Sequence, residues 1–498
     1  MLLPLLVSLV SGEYFSVASF AIAAAVTASA GSLTYRACRD APEPSRRHAM
    51  LIAATGWLAC ACFGALPYLI AGHITADEAA RALSIDGGSS PSSLIHFRNP
   101  LHALFESMSG FTTTGLSMAV HEPTLGYGLL FYRSLTQWVG GAGVIVLSLA
   151  IIPRPQINGV LELYQSETAG MKVRPGILGT ARAIWSVYLG LTLLAAAFLA
   201  IATFVFVPDM GLIEGVFHAV NHAMTGLATG GFSTLDDSIA GYRSYAMEMA
   251  HLAPMLIGAI ALPLHYKFLR GRRWGILWRD PQFRLLCLMC LGGAPLLSAL
   301  LRGNPGVPDP IREGIFQFVS GLTGTGWQTS NIAVWNSGSL LVMAWCAMFV
   351  SGSAGSTVGG VKLIRAYLVG RAVIRQVQRI FLPQGSVLPF RVGERNLSAS
   401  DAHREVADAA SFCLLYAVIL MASVLATAQV LGDRFSLGAI MFECSSAQGT
   451  VGLSSGITDP GMPALIEVLF ILQMWVGRLE IFPVLILLTA LCSRRARG

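Results

Sequence analysis

Ser109-Gly-Phe-Thr-Thr-Thr-Gly115, Thr225-Gly-Leu-Ala-Thr-Gly-Gly231, Ser320-Gly-Leu-Thr-Gly-Thr-Gly326 and Ser446-Ala-Gln-Gly-Thr-Val-Gly452 are four renderings of one pattern. Each closes a segment of about a dozen mostly apolar residues, at 100 to 112, 213 to 228, 311 to 323 and 435 to 449, which is too short to cross a bilayer. Nine residues before each final glycine stands a polar residue: Glu106, His222, Gln317 and Glu443. The final glycines are 116, 95 and 126 residues apart, room each time for two spans and a loop. Extended Gly- and Thr-rich backbone is intolerable against lipid, because its carbonyls would be unsatisfied, so these segments must line water or ions. Four of them around one axis present rings of carbonyl oxygens that can replace the hydration shell of a monovalent cation. Glycine reaches the positive φ that turns successive carbonyls inward. The competing reading is four Gly-rich turns that only let helices pack, but packing glycines do not require a half-length helix before them four times over.

The surroundings agree. Of 498 residues, 54% are hydrophobic and 12% charged, with a mean hydropathy of +0.63, against about 25% charged in an ordinary soluble chain. That excludes soluble enzymes and nucleic-acid-binding modules and makes this an integral membrane protein. Long apolar runs cover about 14 to 34, 49 to 71, 126 to 152, 183 to 208, 244 to 266, 284 to 301, 338 to 364, 409 to 431 and 462 to 492. The first reads as a retained anchor, since Arg36, Arg39, Arg46 and Arg47 follow it and no Lys or Arg precedes it. Before it, Met1 to Val10 looks like the end of a helix whose beginning is missing. Alternate loops (36 to 47, 152 to 182, 266 to 284, 362 to 404 and 494 to 497) hold 25 of the 33 Lys and Arg. These are the cytoplasmic loops, so every short segment enters from outside and the C-terminus is cytoplasmic. The nine cysteines lie mostly inside apolar runs and read as core residues, with no disulfide framework and no metal site.

The expected fold is therefore all-α and integral to the membrane, with four helix, re-entrant loop, helix repeats in pseudo-fourfold array around one central pore. Its units are 1–47 (N-terminal extra helix and loop), 48–152, 153–270, 271–404 (with a cytoplasmic loop) and 405–498. Two further features stand out. Residues 351 to 360 interrupt an apolar run with ten residues that are almost all Gly, Ser, Ala or Thr. They read either as an irregular loop folded into the pore or as a kink for packing. Arg478 sits in the middle of another run, where facing lipid costs several kcal/mol. Either it pairs with Glu480 or another repeat's carboxylate, or it faces the pore. Three patterns are decoys. Gly452-Leu-Ser-Ser-Gly456 lacks the preceding strand of a nucleophile elbow. His218 and His222 lack the Glu of a zinc helix. Gly355 to Gly360 has valine where a phosphate loop needs lysine.

From about residue 48 to the end the chain resembles the Trk/Ktr/HKT superfamily of potassium transporters, most closely the bacterial Trk-type potassium uptake subunit. The stretches that carry the resemblance are Phe131-Tyr-Arg-Ser-Leu-Thr-Gln-Trp-Val-Gly-Gly141, Trp278-Arg-Asp-Pro-Gln-Phe-Arg284, Gly352-Ser-Ala-Gly-Ser-Thr-Val-Gly-Gly-Val-Lys362 and Gly477-Arg-Leu-Glu-Ile481. The resemblance implies potassium uptake across the cytoplasmic membrane, with potassium as substrate, no cofactor bound by this chain and no enzymatic activity. Its filter would comprise Thr113, Thr114 and Gly115; Thr229, Gly230 and Gly231; Gly324, Thr325 and Gly326; and Thr450, Val451 and Gly452. Its gate would comprise Gly352, Ser353, Ala354, Gly355, Ser356, Thr357, Gly359 and Gly360, with Arg478 as the electrostatic barrier. Glycine at all four filter positions implies a preference for potassium. A homodimer is implied too, with a cytosolic ring of nucleotide-binding, RCK-type (TrkA-like) subunits that the loop 362 to 404 helps to dock. There are departures. The family has two extra helices before the first repeat, and Gly324 is an additional glycine expected to loosen the third filter segment. The alternatives are the channel-like subunit of a potassium-pumping ATPase, which shares the four-repeat plan, and a sodium-coupled solute transporter built as two inverted halves.

Overall fold

The computed structural model describes all residues except 42–44, 76–90, 152–176, 272–273, 305, 384–385, 387, 394 and 496–498. Among the cations counted above, Arg81, Arg154, Lys172, Arg174, Arg272, Arg273 and Arg497 lie outside the described residues. The four short helices form where the sequence places them: Pro100–Phe111, Leu212–Leu227, Pro310–Leu322 and Leu437–Gly449. Three of them start on a side-chain cap, from Asn99, Asp309 and Ser436, and proline fills the first helical position in two. There its missing N–H costs nothing.

Each short helix packs on the leading helix of its own repeat: Arg46–Ile74, Ile177–Phe206, Pro281–Leu301 and Ala399–Leu431. The trailing helix of each repeat packs on the short helix of the next. Gly126–Ile151 lies against the second short helix, Tyr245–Ala259 against the third, and the Ser337–Met348 segment against the fourth. Ala464–Arg478 returns to the first, which closes the ring. The N-terminal helices Leu2–Val10 and Tyr14–Ala37 sit beside the first repeat. There Glu13 accepts the Tyr127 and Gly128 amides at 2.6 and 3.0 Å and caps the trailing helix.

Besides the 338 to 364 run, two of the apolar runs are not continuous spans. The run from 244 to 266 bends by 99° between Tyr245–Ala259 and Leu262–Gly271, and the run from 462 to 492 bends by 115° between Ala464–Arg478 and Phe482–Cys492. In both, proline is the second residue of the following helix, Pro263 and Pro483, where it favours a helix start over continuation. The third trailing helix is broken as expected, by the 351–360 loop. Its ends are held by a short parallel pairing of Val350–Ser351 with Val361–Lys362.

Candidate functional site

The four glycine segments follow one hydrogen-bond scheme. Two residues before each final glycine, Thr113, Thr229, Gly324 and Thr450 take left-handed φ of 53°, 52°, 63° and 52°. Their amides bond to Gly110, Gly226, Gly321 and Ala447 carbonyls at 3.0 to 3.3 Å. The next amide, of Thr114, Gly230, Thr325 or Val451, reaches back to Ser109, Thr225, Ser320 or Ser446 at 2.8 to 3.0 Å. This is a Schellman ending that stops each short helix at the same place. The final glycines then adopt φ of 94°, 78°, 83° and 94°. Gly324 is thus not an extra, loosening glycine. It occupies the left-handed position that three threonines fill in the other repeats, where a β-branched residue is strained by about 1–3 kcal/mol.

The segments also close on one another. A Cβ on Gly115 would lie within 3.0 Å of the Gly230 carbonyl oxygen, one on Gly231 of the Thr325 oxygen, one on Gly326 of the Val451 oxygen, and one on Gly452 of the Thr114 oxygen. Real Cβ atoms do not come that close. The space each glycine leaves is filled by the carbonyl of the following repeat, and the fourth returns to the first. The structure therefore brings together all twelve predicted filter residues, and the final glycines line one vestibule of about 550 Å³ with Glu122, Asp236 and Asp237. Burial pushes the Glu122 carboxyl up to about 8, against the opposing pull of Arg133.

The polar residues nine positions upstream buckle each loop just beyond its glycine. Glu106 accepts the Met118 amide at 2.8 Å and the Ser117 hydroxyl at 3.1 Å. His222 Nε2 meets Ser233 Oγ at 3.1 Å, and Gln317 Nε2 donates to Thr329 Oγ1 at 3.3 Å. Glu443 accepts from Ser454, from the Ser455 amide at 2.7 Å and from Thr458. The histidine pair is engaged in this way, His218 Nδ1 lying 2.6 Å from Thr234 Oγ1 and His222 Nδ1 2.9 Å from the Tyr242 hydroxyl.

Two residues that sequence reasoning passed over hold the first and second segments together. Arg133, 1% exposed, donates to Glu106 at 2.7 Å, to the Ser117 hydroxyl at 2.9 Å and to the Ser233 carbonyl at 3.1 Å. Its guanidinium also stacks over Phe232 at 4.2 Å. Gln137 donates to the Gly230 carbonyl at 2.6 Å and accepts the Phe232 amide at 3.1 Å, and a Cβ on Gly230 would strike its side chain. The signal for Arg133 was a cation inside an apolar run, which must find a partner, with Glu106 already in hand. Arg133→Gln is expected to destabilise the protein by about 3–5 kcal/mol, because it leaves the buried Glu106 carboxylate without its counter-charge. Thermal melts in detergent check this. The double change with Glu106→Gln is expected to recover most of the loss, and an unshifted single-mutant melt would mean that the pair is not a strut.

On the other side of the glycine ring lies the 351–360 loop. The Ser353 amide donates to Ala259 O at 2.9 Å, and the Leu262 amide to Gly355 O at 3.0 Å. The loop thereby uses the backbone groups freed by the break in the second trailing helix. Thr357 Oγ1 lies 3.0 Å from Thr229 Oγ1 and 3.0 Å from the Leu227 carbonyl. Arg478, 2% exposed, meets no carboxylate among the described residues: it donates to the carbonyls of Thr357 and, at 2.9 Å, Gly140. Glu480, the partner that the sequence offered it, pairs with Arg365. The bend after Arg478, with left-handed Glu480 and Ile481, separates the two. Lys362, not predicted as a site residue, donates from Nζ to the Val358 carbonyl. Two cations thus pin consecutive carbonyls of the loop.

The chain matches the family described as cation transport protein (TrkH) over residues 21–301 and 303–494. It is 31% identical to the Trk system potassium uptake protein TrkH of Halomonas elongata over 494 residues, 98% of this chain and 94% of that one. It is also 31% identical to the protein of that name from Escherichia coli over 468 residues, 91% of this chain and 87% of that one. The crystal structure of the potassium transporter TrkH from Vibrio parahaemolyticus superimposes with a TM-score of 0.79 at 28% identity, covering 98% of this chain and 94% of that one. By sequence along almost its whole length and by fold, the chain belongs to the TrkH family of cation transport proteins.

Proposed function

We propose that the chain carries potassium into the cell through the axis of its four repeats, with the glycine segments as selectivity filter and the 351–360 loop, pinned by Arg478, as gate. The observation that carries this reading is the closed ring in which the carbonyls of Thr114, Gly230, Thr325 and Val451 fill the spaces left by the neighbouring glycines. The short helices end at that ring, so their negative dipole ends favour a cation there. The Thr113 and Thr450 hydroxyls, buried and without a hydrogen-bond partner among the described residues, add ligands at its inner side and give a reason for these two strained threonines. Four repeats closing head to tail also fit this reading better than two inverted halves. An inside-negative potential drives the flow, worth about 2.3 kcal/mol per charge per 100 mV. The test is potassium uptake into proteoliposomes of the purified chain under an imposed inside-negative potential. Uptake that follows the potential supports the reading, and uptake that instead needs a sodium or organic-solute gradient overturns it.

In this reading the Lys- and Arg-rich loops and the C-terminus face the cytoplasm of a bacterial cell, and the protein works as a dimer above a nucleotide-binding regulatory ring. Arg379, exposed near the end of the amphipathic helix Leu363–Ile380, is the better probe of docking. Arg375 is tied to its own loop through the Leu388 carbonyl at 2.8 Å. Arg379→Glu is expected to weaken association with the ring severalfold and to leave uptake by the chain alone unchanged. Unchanged association in a pull-down would reduce these arginines to a positive collar at the membrane surface.

A further inference from the structure

Val358 is the one residue between 351 and 360 that is not Gly, Ser, Ala or Thr, and it is 1% exposed. Its side chain has a specific place to go. A Cβ on Gly324 would stand 2.6 Å from Val358 Cγ1, so valine fills the space in which the other three repeats carry a threonine side chain. A Cβ on Gly352 would also collide with Val358, which confines the valine from the loop's own side. The residues flanking it reach the neighbouring repeats. Thr357 Oγ1 lies 3.0 Å from Thr229 Oγ1, and a Cβ on Gly359 would overlap the Thr450 hydroxyl. Three consecutive loop residues therefore touch the inner ends of the second, third and fourth glycine segments, and the valine falls on the repeat that has glycine.

We propose that Gly324 is the seat of the closed loop, a positioning residue whose missing side chain lets Val358 lock the 351–360 segment under the ring. This rests on the pore reading above and adds to it. The third repeat departs from threonine because the same repeat supplies the loop that must dock there. Loop closure is then set by a residue inside the filter, and opening requires Val358 to leave a pocket rather than a flat surface. A methyl group at 324 overpacks that pocket in the closed state only, and shifts the closed and open populations by an amount typical of core overpacking.

Leak uptake of potassium into proteoliposomes of the chain alone tests this. Gly324→Ala is expected to raise leak about tenfold, and Gly324→Thr, which restores the residue of the other repeats, at least as much. Val358→Ala alone, which leaves the seat underfilled, is expected to raise it a few-fold. Combining Gly324→Ala with Val358→Ala puts back one of the two carbons that Val358→Ala removes, relieves the overpacking and is expected to bring leak back toward the parent. Leak at the parent level in both single variants, or a Gly324→Ala leak that Val358→Ala does not reduce, would overturn the seat. A loop-shortened protein is the control for the reading beneath. Raised flux there with parent-like Gly324→Ala sinks only the seat, whereas no added flux there sinks the gate and the seat together. If Gly324→Ala does not insert, Val358→Ala decides by itself, since it leaves the filter chain untouched.

Discussion

Replacing Gly115 with serine is expected to lower potassium-over-sodium discrimination at least about tenfold, a difference of about 1.4 kcal/mol between the two ions, in protein that still inserts and folds. The reason is spatial. At φ 94° any side chain is strained, and its first carbon would collide with the Gly230 carbonyl oxygen. That carbonyl has to move, so the ring loses the spacing that distinguishes a larger cation from a smaller one. Gly326→Ser is expected to act as strongly, since there the Cβ would meet both the Val451 oxygen and Gly452 Cα. Paired rubidium and sodium uptake ratios in proteoliposomes measure both variants. Equal ratios in variant and parent would remove Gly115 from the filter.

Deleting several residues between Gly352 and Gly359 is expected to give the largest gain in flux and to weaken dependence on a regulatory partner. The loop sits directly under the ring, bonded to Thr229 and Leu227 through Thr357 and to the broken second trailing helix through Ser353 and Gly355. Its removal would take away the proposed steric barrier at once. Arg478→Ala is expected to raise flux more modestly. A like charge about 6 Å from a passing potassium ion opposes it by about 3 kcal/mol at an effective dielectric of about 20, which slows passage about a hundredfold without sealing a pore. Its loss also frees the Thr357 carbonyl, so both effects point the same way. Lower flux after the deletion, in correctly inserted protein, would make the loop a structural support. An Arg478→Ala protein that unfolds would make the arginine a strut between the loop and Gly140.

The short helices and their glycines were legible because lipid forbids extended backbone and because the pattern occurs four times. A single copy would have passed for a turn. The ring closure was not legible, since which carbonyl fills which glycine's space depends on how repeats about a hundred residues apart, and the first and fourth across more than three hundred, meet. The same holds for Gly230 and Gly324. In sequence Gly230 is one filter residue among twelve and Gly324 reads as a loosening glycine, yet each makes room for a side chain from elsewhere, Gln137 and Val358. The bends after Ala259 and Arg478 left a trace in Pro263 and Pro483, but a proline inside an apolar run is also tolerated in straight spans; Pro67 and Pro295 lie within the helices Arg46–Ile74 and Pro281–Leu301. In sequence Glu480 is one candidate partner for Arg478, beside another repeat's carboxylate or the pore. The helix ends between them, and Glu480 turns to Arg365 instead.

Monovalent cations are expected to bind on the axis at the ring formed by the Thr114, Gly230, Thr325 and Val451 carbonyls. Anomalous diffraction from crystals grown in rubidium chloride tests it most directly. The account predicts a rubidium peak on the axis at the level of those four oxygens, lost when the crystals are transferred to lithium chloride. Rubidium found elsewhere in the protein and absent from the ring, in a preparation that takes up rubidium when reconstituted, would contradict it.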